Sequence, residues 1–260
     1  MVKYNNPWGS DYWDKIGRRT ITSPFQEKIA LYKKSMNLSL ISAWVPSAQG
    51  DWMLKTDLFE EAFGKDSLMD ELNISYTHSV GIDISGVIVR KASKRFPHNP
   101  LLKADVCRLP FKKGSFELIV STSTLDHLPI KNLPIAIKEF FRILKPGRCL
   151  VLTLDSKHNP LHRLASAMRS KYGLFHIERC YSVQEISTLL KECRFHVTDS
   201  KPIYHIPPGV NFLAKLLHRI FGPLANKPIQ YITEIFLRFD KLPTRFFTGR
   251  YIAIRAIKPQ

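Results

Sequence analysis

Acidic and polar residues follow three successive candidate strands in the stretch from Gly81 to Pro146. Asp83 ends the first strand in GIDIS, Asp105 lies in ADVCRLPF after the second, and the polar run 121–124 follows the apolar strand FELIV. In a doubly wound sheet the carboxyl ends of neighbouring strands meet at one edge, where an acid can accept hydrogen bonds from ribose hydroxyls. The spacing therefore predicts a site for an adenosine.

Each of the two acids also has a simpler explanation. Asp83 could cap the helix that begins near Ser85, and Asp105 could stabilise an ordinary turn after a strand. Because the two acids occur together and precede the FELIV strand, we favour the ligand roles: Asp83 on the ribose, Asp105 on the adenine amino group, with Val106 and Leu109 on the faces of the ring.

Strands and helices alternate from Asp51 to about Tyr204, which is typical of an α/β fold with a mostly parallel sheet. The sequence predicts strands at 52–56, 78–83, 101–104, 117–121, 148–154, 195–203 and 249–257. It predicts helices at 58–72, 86–95, 131–144 and 182–193. Ser182 and Glu185 form a capping-box signature for the last of these helices.

Four segments follow from this pattern. Residues 1–47 are predicted to be a helical N-terminal cap, whose aromatic residues Tyr12, Trp13 and Phe25 could fold over a pocket. Residues 48–204 form the core, 205–247 a helical insertion, and 248–260 the final strand. The insertion carries two amphipathic stripes: Leu213, Leu216, Leu217, Ile220 and Phe221, then Ile232, Ile235, Phe236 and Phe239.

The composition limits the possible functions. The 260 residues carry a formal charge of +17, and residues 201–260 contain ten Lys and Arg against two acidic residues. Such a charge favours an anionic partner, although a basic surface can also serve solubility alone. The four cysteines have no metal-ligand spacing, so we expect reduced thiols, no metal and a cytoplasmic protein. Neither a signal peptide nor a transmembrane segment is expected.

Three strings resemble those of a known family. They are DVCRLPF at 105–111, LDHL at 125–128 and RILKPG at 142–147. In this order they resemble the class I S-adenosylmethionine-dependent methyltransferases, in particular the UbiE/COQ5-like group called methyltransferase type 11. The resemblance covers roughly residues 50–204 and 249–257. It implies a Rossmann-like, doubly wound sheet of seven strands with an antiparallel last strand, and S-adenosylmethionine as the cofactor.

The chain departs from this family at the first strand, where the family has an acid and a glycine-rich loop. Lys55 stands at the acid position, and Asp57, Phe59 and Glu61 stand at the glycine positions. Asp57 and Glu60 form a D-x-x-E pair, which predicts a capping box, and Asp57 could also meet the cofactor's ammonium group. Carboxylates here would repel a pyrophosphate, which argues against dinucleotides. A sulfonium cofactor is compatible with them.

The predicted cofactor contacts are Lys55, Asp57, Asp83, Ile84, Asp105, Val106, Ser121 and Thr122. Methyl transfer needs alignment of donor and acceptor, and an oxygen or carbon acceptor also needs a base. His158 in the loop after the fifth strand is our first candidate for the base, and His127 is the second. His127 could instead simply close a turn. His162 and Arg163 could meet an anionic acceptor or cap the next helix.

The leading hypothesis is methyl transfer to a small, hydrophobic or lipid-like acceptor, with the insertion covering the pocket or lying on an anionic membrane surface. A non-catalytic scaffold is the second hypothesis, because the glycines are missing. An RNA methyltransferase is the third, because of the charge. Nucleic acid is disfavoured, because the STSTLDHLP segment lacks a motif for base amino groups. The oligomeric state does not follow from the sequence.

Overall fold

The computed structural model describes residues 9–19, 24–45, 50–171, 179–207, 210–225, 227–228, 231, 235–236 and 238–260. The strands are β1 (Gly50–Thr56), β2 (Tyr76–Asp83), β3 (Leu101–Lys103), β4 (Phe116–Thr122), β5 (Leu144–Asp155), β6 (His196–Ile203) and β7 (Tyr251–Ile257). The helices are α1 (Ser10–Arg19), α2 (Pro24–Trp44), α3 (Phe59–Phe63), α4 (Met69–Ser75), α5 (Gly86–Arg95), α6 (Leu133–Ile143), α7 (Pro160–Lys171), α8 (Val183–Glu192), α9 (Val210–Phe221) and α10 (Arg245–Thr248).

The seven strands form one sheet in the order β3-β2-β1-β4-β5-β7-β6. All neighbouring strands are parallel except β7, which runs antiparallel to both β5 and β6. This confirms the predicted doubly wound, mostly parallel sheet with an antiparallel last strand. The strand order reverses between β1 and β4, and a ligand crevice is expected outside the carboxyl ends of the strands at such a switch point.

Buried apolar side chains cover both faces of the sheet. One cluster joins Leu54 and Ile119 of the sheet to Phe140 of α6 and Leu190 of α8. The other, on Met53 and Val151, extends to Leu40 of α2 and Leu72 of α4. Because helices cover both faces, the central strands are almost continuously apolar, as expected for a parallel sheet.

All seven predicted strands are present, and helix α5 has the predicted bounds. The single helix predicted over 58–72 is wrong, because α3 ends at Phe63 and α4 begins only at Met69. Gly64 is extended and closely packed: a Cβ there would lie 2.0 Å from the Asp66 Oδ1. Helix α7 was not among the predicted helices, although Asn159 and Pro160 are a typical helix start.

Helix α1 packs on α5 and so brings the N-terminal segment to the carboxyl edge of the sheet. The Asp14 carboxylate accepts hydrogen bonds from the Ser85 hydroxyl and from the Val87 N–H, at 2.5 and 3.0 Å. Gly17 allows this close approach, since a Cβ would lie 3.1 Å from Ile88. The predicted N-terminal cap contains the helices α1 and α2. Residues 1–8, 20–23 and 46–47 of the predicted segment lie outside the described residues.

The insertion contains α9 and the short helix α10. Large apolar side chains are exposed along it: Leu216, Ile220, Phe221, Leu224, Tyr231, Ile235, Leu242 and Phe247. Of the predicted stripes, the side chain of Leu213 and all of Ile232 lie outside the described residues. Among the helices that the structure describes, none is both long and apolar enough to cross a membrane.

Candidate cofactor pocket

A pocket lies at the carboxyl ends of β1, β2 and β4, beneath α1. It contains about 560 Å³ of space outside protein atoms, counting the solvent at its mouth. Its lining residues are Trp13, Asp57, Phe59, Ile82, Asp83, Ile84, Ile88, Ala104, Asp105, Val106, Thr124, His127 and Leu128. The pocket therefore occupies the switch point of the sheet, where nucleoside ligands bind in this architecture.

Asp83 ends β2 and lines the pocket with a nearly buried carboxylate, which is 8% exposed. Its Oδ2 accepts a hydrogen bond from the Leu58 N–H at 3.0 Å, and its Oδ1 accepts one from the Ser85 N–H at 2.7 Å. Burial raises the pKa of this carboxyl to about 6, although both backbone donors oppose the shift. Each oxygen keeps a second lone pair for a ligand donor.

The predicted adenine end of the site is largely present in the pocket. Ile84, Asp105 and Val106 all line it. The Asp105 carboxylate also accepts a hydrogen bond from the Cys107 N–H at 2.8 Å, so the turn role and the pocket position coexist. Leu109, expected beside Val106 on the ring, is instead buried in the hydrophobic core and does not line the pocket.

Asp57, at the first glycine position, keeps a glycine-like backbone with φ of 65°. Asp tolerates this left-handed region better than most residues, because its short side chain can bond locally. Here its Oδ1 accepts a hydrogen bond from the Phe59 N–H at 2.8 Å. Burial, Glu60 and Asp83 together raise the pKa of the Asp57 carboxyl well above its usual range.

The predicted capping box between Asp57 and Glu60 is wrong. Leu58, not Asp57, is the residue that precedes α3, Leu58 makes no side-chain capping bond, and Glu60 does not bond back to Asp57. Glu60 instead contacts Lys33 of α2, whose Nζ lies 2.6 Å from Oε1. This contact helps to hold the pKa of Glu60 low, at about 2, despite burial. The long helix of the N-terminal cap is thus tied to the first loop.

Lys55 and Glu61 form a buried ion pair, and neither lines the pocket. The Lys55 Nζ lies 2.9 Å from the Glu61 Oε2, and the two side chains are 1% and 0% exposed. Lys55 also donates to the Asp57 carbonyl at 2.5 Å. Lys55, at the family's acid position, and Glu61, at its third glycine position, therefore neutralise each other's charge. Since Lys55 does not line the pocket, its position does not support the predicted contact with the cofactor.

Replacing Lys55 by methionine is expected to lower the free energy of unfolding by about 3 kcal/mol, because Glu61 would remain buried without its partner. The measurement is urea denaturation at pH 7. The double variant Lys55→Met/Glu61→Leu should recover most of the loss, since it removes both charges. A double variant as unstable as the single one would show that packing, not charge, dominates here.

Ser121 and Thr122 do not line the pocket, because they are buried within β4. The Ser121 hydroxyl accepts a hydrogen bond from the Thr56 hydroxyl at 2.9 Å, and Thr56 lies 2.8 Å from the Thr124 Oγ1. Thr124, beyond the end of the strand, is the residue that reaches the pocket. The predicted polar run thus supports the site from behind, and its last member lines it.

The two candidate catalytic histidines lie in different places. His127 lines the pocket, and its ring meets that of Trp13 edge-on at 5.0 Å between centroids. Its backbone N–H also donates to the Thr124 carbonyl at 3.3 Å, so it closes the turn as well. His158 is exposed, does not line the pocket, and has its ring 6.4 Å from that of Phe247 in α10. The geometry thus favours His127 over His158.

Neither alternative proposed for His162 fits. Its side chain is 1% exposed, and Nε2 lies 3.2 Å from the Asp155 Oδ1 at the end of β5. Asn159 caps α7 instead, since its Oδ1 accepts from the His162 N–H at 2.9 Å. The contact of the His162 side chain with Asp155, together with the charge of Arg250, lowers the pKa of the Asp155 carboxyl, although burial acts in the opposite direction.

The sequence predicted Trp13 near a pocket in general terms, but Phe59, Ile82, Ile88, Ala104, Thr124 and Leu128 were missing from the predicted contacts. The apolar FELIV strand correctly predicted that the site lies at the carboxyl edge of the sheet, and the turn after this strand supplies Thr124 and Leu128. For Phe59 and Ile88 the sequence carries no comparable signal. Among the described residues, no group of three or more His, Cys, Asp or Glu is placed to hold a metal ion.

The charge of the pocket is opposite to that of the chain. Three aspartates line it, and among its described lining residues there is no Lys or Arg, although the chain carries +17 overall. Buried carboxylates attract cations and repel phosphate groups. The pocket therefore suits a nucleoside that bears positive charge.

Known proteins resemble this chain in sequence over part of its length. Residues 61–152, about a third of the chain, match the family described as "Methyltransferase domain". Two curated proteins are similar over shorter stretches. One is an uncharacterized protein of Haemophilus influenzae, 33% identical over 84 residues, with coverage of 30% of this chain and 33% of that protein. The other is the eEF1A lysine and N-terminal methyltransferase of Mus musculus, 27% identical over 108 residues, with coverage of 36% and 16%.

Solved structures share the fold across most of the chain. Phosphoethanolamine N-methyltransferase 2 of Haemonchus contortus, in complex with S-adenosyl-L-methionine, has a TM-score of 0.65 at 16% identity, covering 100% of this chain and 62% of that one. The N-methyltransferase NodS of Bradyrhizobium japonicum, in complex with S-adenosyl-L-homocysteine, has a TM-score of 0.54 at 15% identity, covering 92% and 89%. The [4+2]-cyclase SpnF has a TM-score of 0.57 at 15% identity, covering 86% and 81%.

The sheet order and these likenesses define the fold as the Rossmann-like fold of the class I methyltransferases. The segment from the first loop to β5 is similar to the family described as "Methyltransferase domain". The matched stretches span only a third and about a sixth of the two curated relatives. Since SpnF is described as a cyclase, the fold alone does not fix the reaction.

Proposed function

We propose that this protein is an S-adenosylmethionine-dependent methyltransferase that acts on a small, hydrophobic or lipid-like acceptor. The observation that carries the proposal is the pocket with Asp83 and Asp105 at successive strand ends, three aspartates and no Lys or Arg among its described lining residues. The cofactor is S-adenosylmethionine, whose sulfonium and ammonium groups complement these carboxylates. Placement in the UbiE/COQ5-like group stays a prediction that rests on the three sequence strings.

In this proposal each part of the pocket has a task. Asp83 accepts hydrogen bonds from the ribose hydroxyls, and Asp105 accepts one from the adenine amino group. Trp13 and His127 lie together at the wall formed by α1 and the turn after β4. S-adenosylmethionine would supply the methyl group for the acceptor, and His127 would take the proton that an oxygen or carbon acceptor must lose.

Calorimetric titration of the protein with S-adenosylmethionine, and in parallel with ATP, tests the cofactor assignment. We expect binding of S-adenosylmethionine and none of ATP, since the aspartates repel a triphosphate. The absence of S-adenosylmethionine binding would favour the non-catalytic scaffold, for which the side chains of Asp57 and Glu61 at glycine positions are the supporting observation. If S-adenosylmethionine does bind, transfer of a labelled methyl group to a lipid extract or to RNA would identify the class of acceptor.

The affinity for S-adenosylmethionine should fall as the pH drops below 6. Asp83 has a pKa of about 6, above its usual range, so it is ionised at pH 7 and largely protonated at pH 5. The cationic ligand binds the ionised form, and each pH unit below the pKa therefore costs up to about tenfold in affinity. Titrations at pH 5, 6, 7 and 8 measure this dependence. Equal affinities at pH 5 and 7 would contradict the assignment of Asp83.

We also propose that the insertion lies on an anionic membrane surface. Its exposed apolar side chains include Ile220 at 61%, Phe221 at 55% and Leu224 at 82% exposure. Residues 205–247 contain six Lys and Arg against two acidic residues. A surface that combines large apolar side chains with an excess of cations suits an anionic bilayer.

The start of α7 extends this surface beyond the insertion. Leu161 and Leu164 are 56% and 61% exposed. The preceding loop is joined to α10, since the Asn159 Nδ2 donates to the Thr248 carbonyl at 2.8 Å and His158 contacts Phe247. In this proposal His158 belongs to the membrane surface and not to the catalytic pocket.

A further inference from the structure

The first loop uses its own carboxylates to satisfy the backbone donors that face the pocket. The Leu58 N–H donates to the Asp83 Oδ2 at 3.0 Å, and the Phe59 N–H donates to the Asp57 Oδ1 at 2.8 Å. Asp57 and Asp83 both line the pocket. These N–H groups are therefore already paired with side-chain carboxyl oxygens, and a ligand anion would have to displace a protein carboxyl group to reach them.

The cation nearest to this loop is committed in the same way. Lys55 Nζ contacts the Glu61 carboxylate at 2.9 Å and donates to the Asp57 carbonyl at 2.5 Å. Its side chain is 1% exposed. Lys55 does not line the pocket, and among the described residues that do there is no Lys or Arg. The pocket thus offers a ligand the carboxyl groups of Asp57 and Asp83. The backbone donors of the first loop and the Lys55 ammonium are already bound to other groups of the protein.

We propose that this pocket binds the sulfonium and ammonium groups of the adenosyl donor and leaves the donor's α-carboxylate in water. The inference rests on the proposed function and specifies which chemical groups of the donor the site recognises. A carboxylate placed beside Asp83 would be repelled in a partly buried site, and the Phe59 N–H that could bind it already donates to Asp57. The ammonium on the same carbon atom would be attracted to Asp83. Affinity should then depend on the cations of the donor and hardly on its carboxylate.

Decarboxylated S-adenosylmethionine is the probe that separates these contributions. It keeps the adenosine, the sulfonium and the amine and lacks only the carboxylate. In parallel calorimetric titrations at pH 7.5 we expect it to bind as tightly as S-adenosylmethionine or up to about tenfold tighter, the gain from removing one like-charge contact. Binding more than threefold weaker than that of S-adenosylmethionine would overturn the inference but leave the proposed function intact. If neither compound binds, both fail.

The variant Asp57→Gly tests whether Asp57 is the reason that the site does not bind the carboxylate of the donor. Glycine adopts the φ of 65° without strain, and the variant frees the Phe59 N–H for a ligand carboxylate. We expect the affinity for S-adenosylmethionine to rise about tenfold relative to that for the decarboxylated probe. Asp57→Asn keeps the side-chain volume and an oxygen that can accept from the Phe59 N–H, so it should change the ratio less than Asp57→Gly does.

Asp105→Asn is the matched control, because Asp105 lines the same pocket but accepts from Cys107 and not from the first loop. It should change both affinities alike and leave their ratio unchanged. A ratio that is equally unaffected by Asp57→Gly and by Asp105→Asn would overturn the inference. Thermal melting of each variant without ligand shows whether the fold is retained.

Discussion

Replacing Asp83 by alanine is expected to lower the affinity for S-adenosylmethionine at least hundredfold. Hydrogen bonds to a charged group contribute about 1.5–3 kcal/mol each, and the proposed role gives this carboxylate two ribose hydroxyls. The loss of both amounts to about 3–6 kcal/mol. Calorimetric titration at pH 7.5 measures the change, and methyl transfer at saturating acceptor should fall with it.

A control must separate loss of the ligand contact from loss of local order. Asp83 also accepts hydrogen bonds from Leu58 and Ser85, so its removal loosens the turn. Ser85→Ala disturbs the same turn by removing the hydroxyl that caps Ile88 and contacts Asp14, but it keeps the carboxylate. We expect it to lower the melting temperature and to change the affinity less than fivefold. Undiminished binding by Asp83→Ala would refute the ribose assignment.

The triple variant Ile220→Glu/Phe221→Glu/Leu224→Glu should lose at least a thousandfold in affinity for vesicles that contain phosphatidylserine. Full burial of each such side chain contributes about 1.5–3 kcal/mol, and three carboxylates near an anionic surface add repulsion. Flotation of the protein with vesicles of 30% phosphatidylserine (about a third of the lipid, enough for a strongly negative surface) measures the bound fraction. Binding by the intact protein should also weaken with salt.

A matched control carries the same number of substitutions and the same change in charge outside the insertion. Leu31, Ile130 and Ile135 are exposed to similar degrees, at 53%, 61% and 47%. Their replacement by glutamate should leave most of the vesicle binding in place. Equal loss in the two triple variants would mean that net charge, rather than the insertion, causes binding. No binding by the intact protein would remove the membrane proposal altogether.

The sequence allowed the sheet and the adenosine end of the pocket to be predicted for one physical reason. Side chains at the end of a parallel strand, or just beyond it, lie near the carboxyl edge of the sheet whatever the detailed packing. Asp83 and Asp105 occupy such positions, and both line the pocket. Ser121 and Thr122 are still within the strand and pair with β1 and β5. Asp83 and Thr122 are both last residues of their strands, yet only Asp83 lines the pocket, so the end position alone does not decide which side chain reaches it.

The other half of the site depends on contacts that spacing does not reveal. The pairing of Lys55 with Glu61, and that of Glu60 with Lys33, depend on how α3 and α2 pack. Trp13 reaches His127 only because Gly17 lets α1 lie against α5. His158 was preferred from its place after β5, but the chain turns it toward α10. These contacts depend on how distant parts of the chain pack together, and the local sequence propensity carries no information on them.

The position of β7 has a consequence for how the chain folds. β6 pairs only with β7 in the described sheet, and β7 also completes the pairing of β5. During synthesis, residues 196–203 therefore leave the ribosome with an unpaired backbone and wait for residues 251–257 to arrive. The intervening residues 204–250 include the exposed apolar side chains of the insertion. Since long-range pairing is slow and open strand edges aggregate, the nascent chain is most vulnerable in this interval, and early contact with a membrane or a chaperone would protect it there.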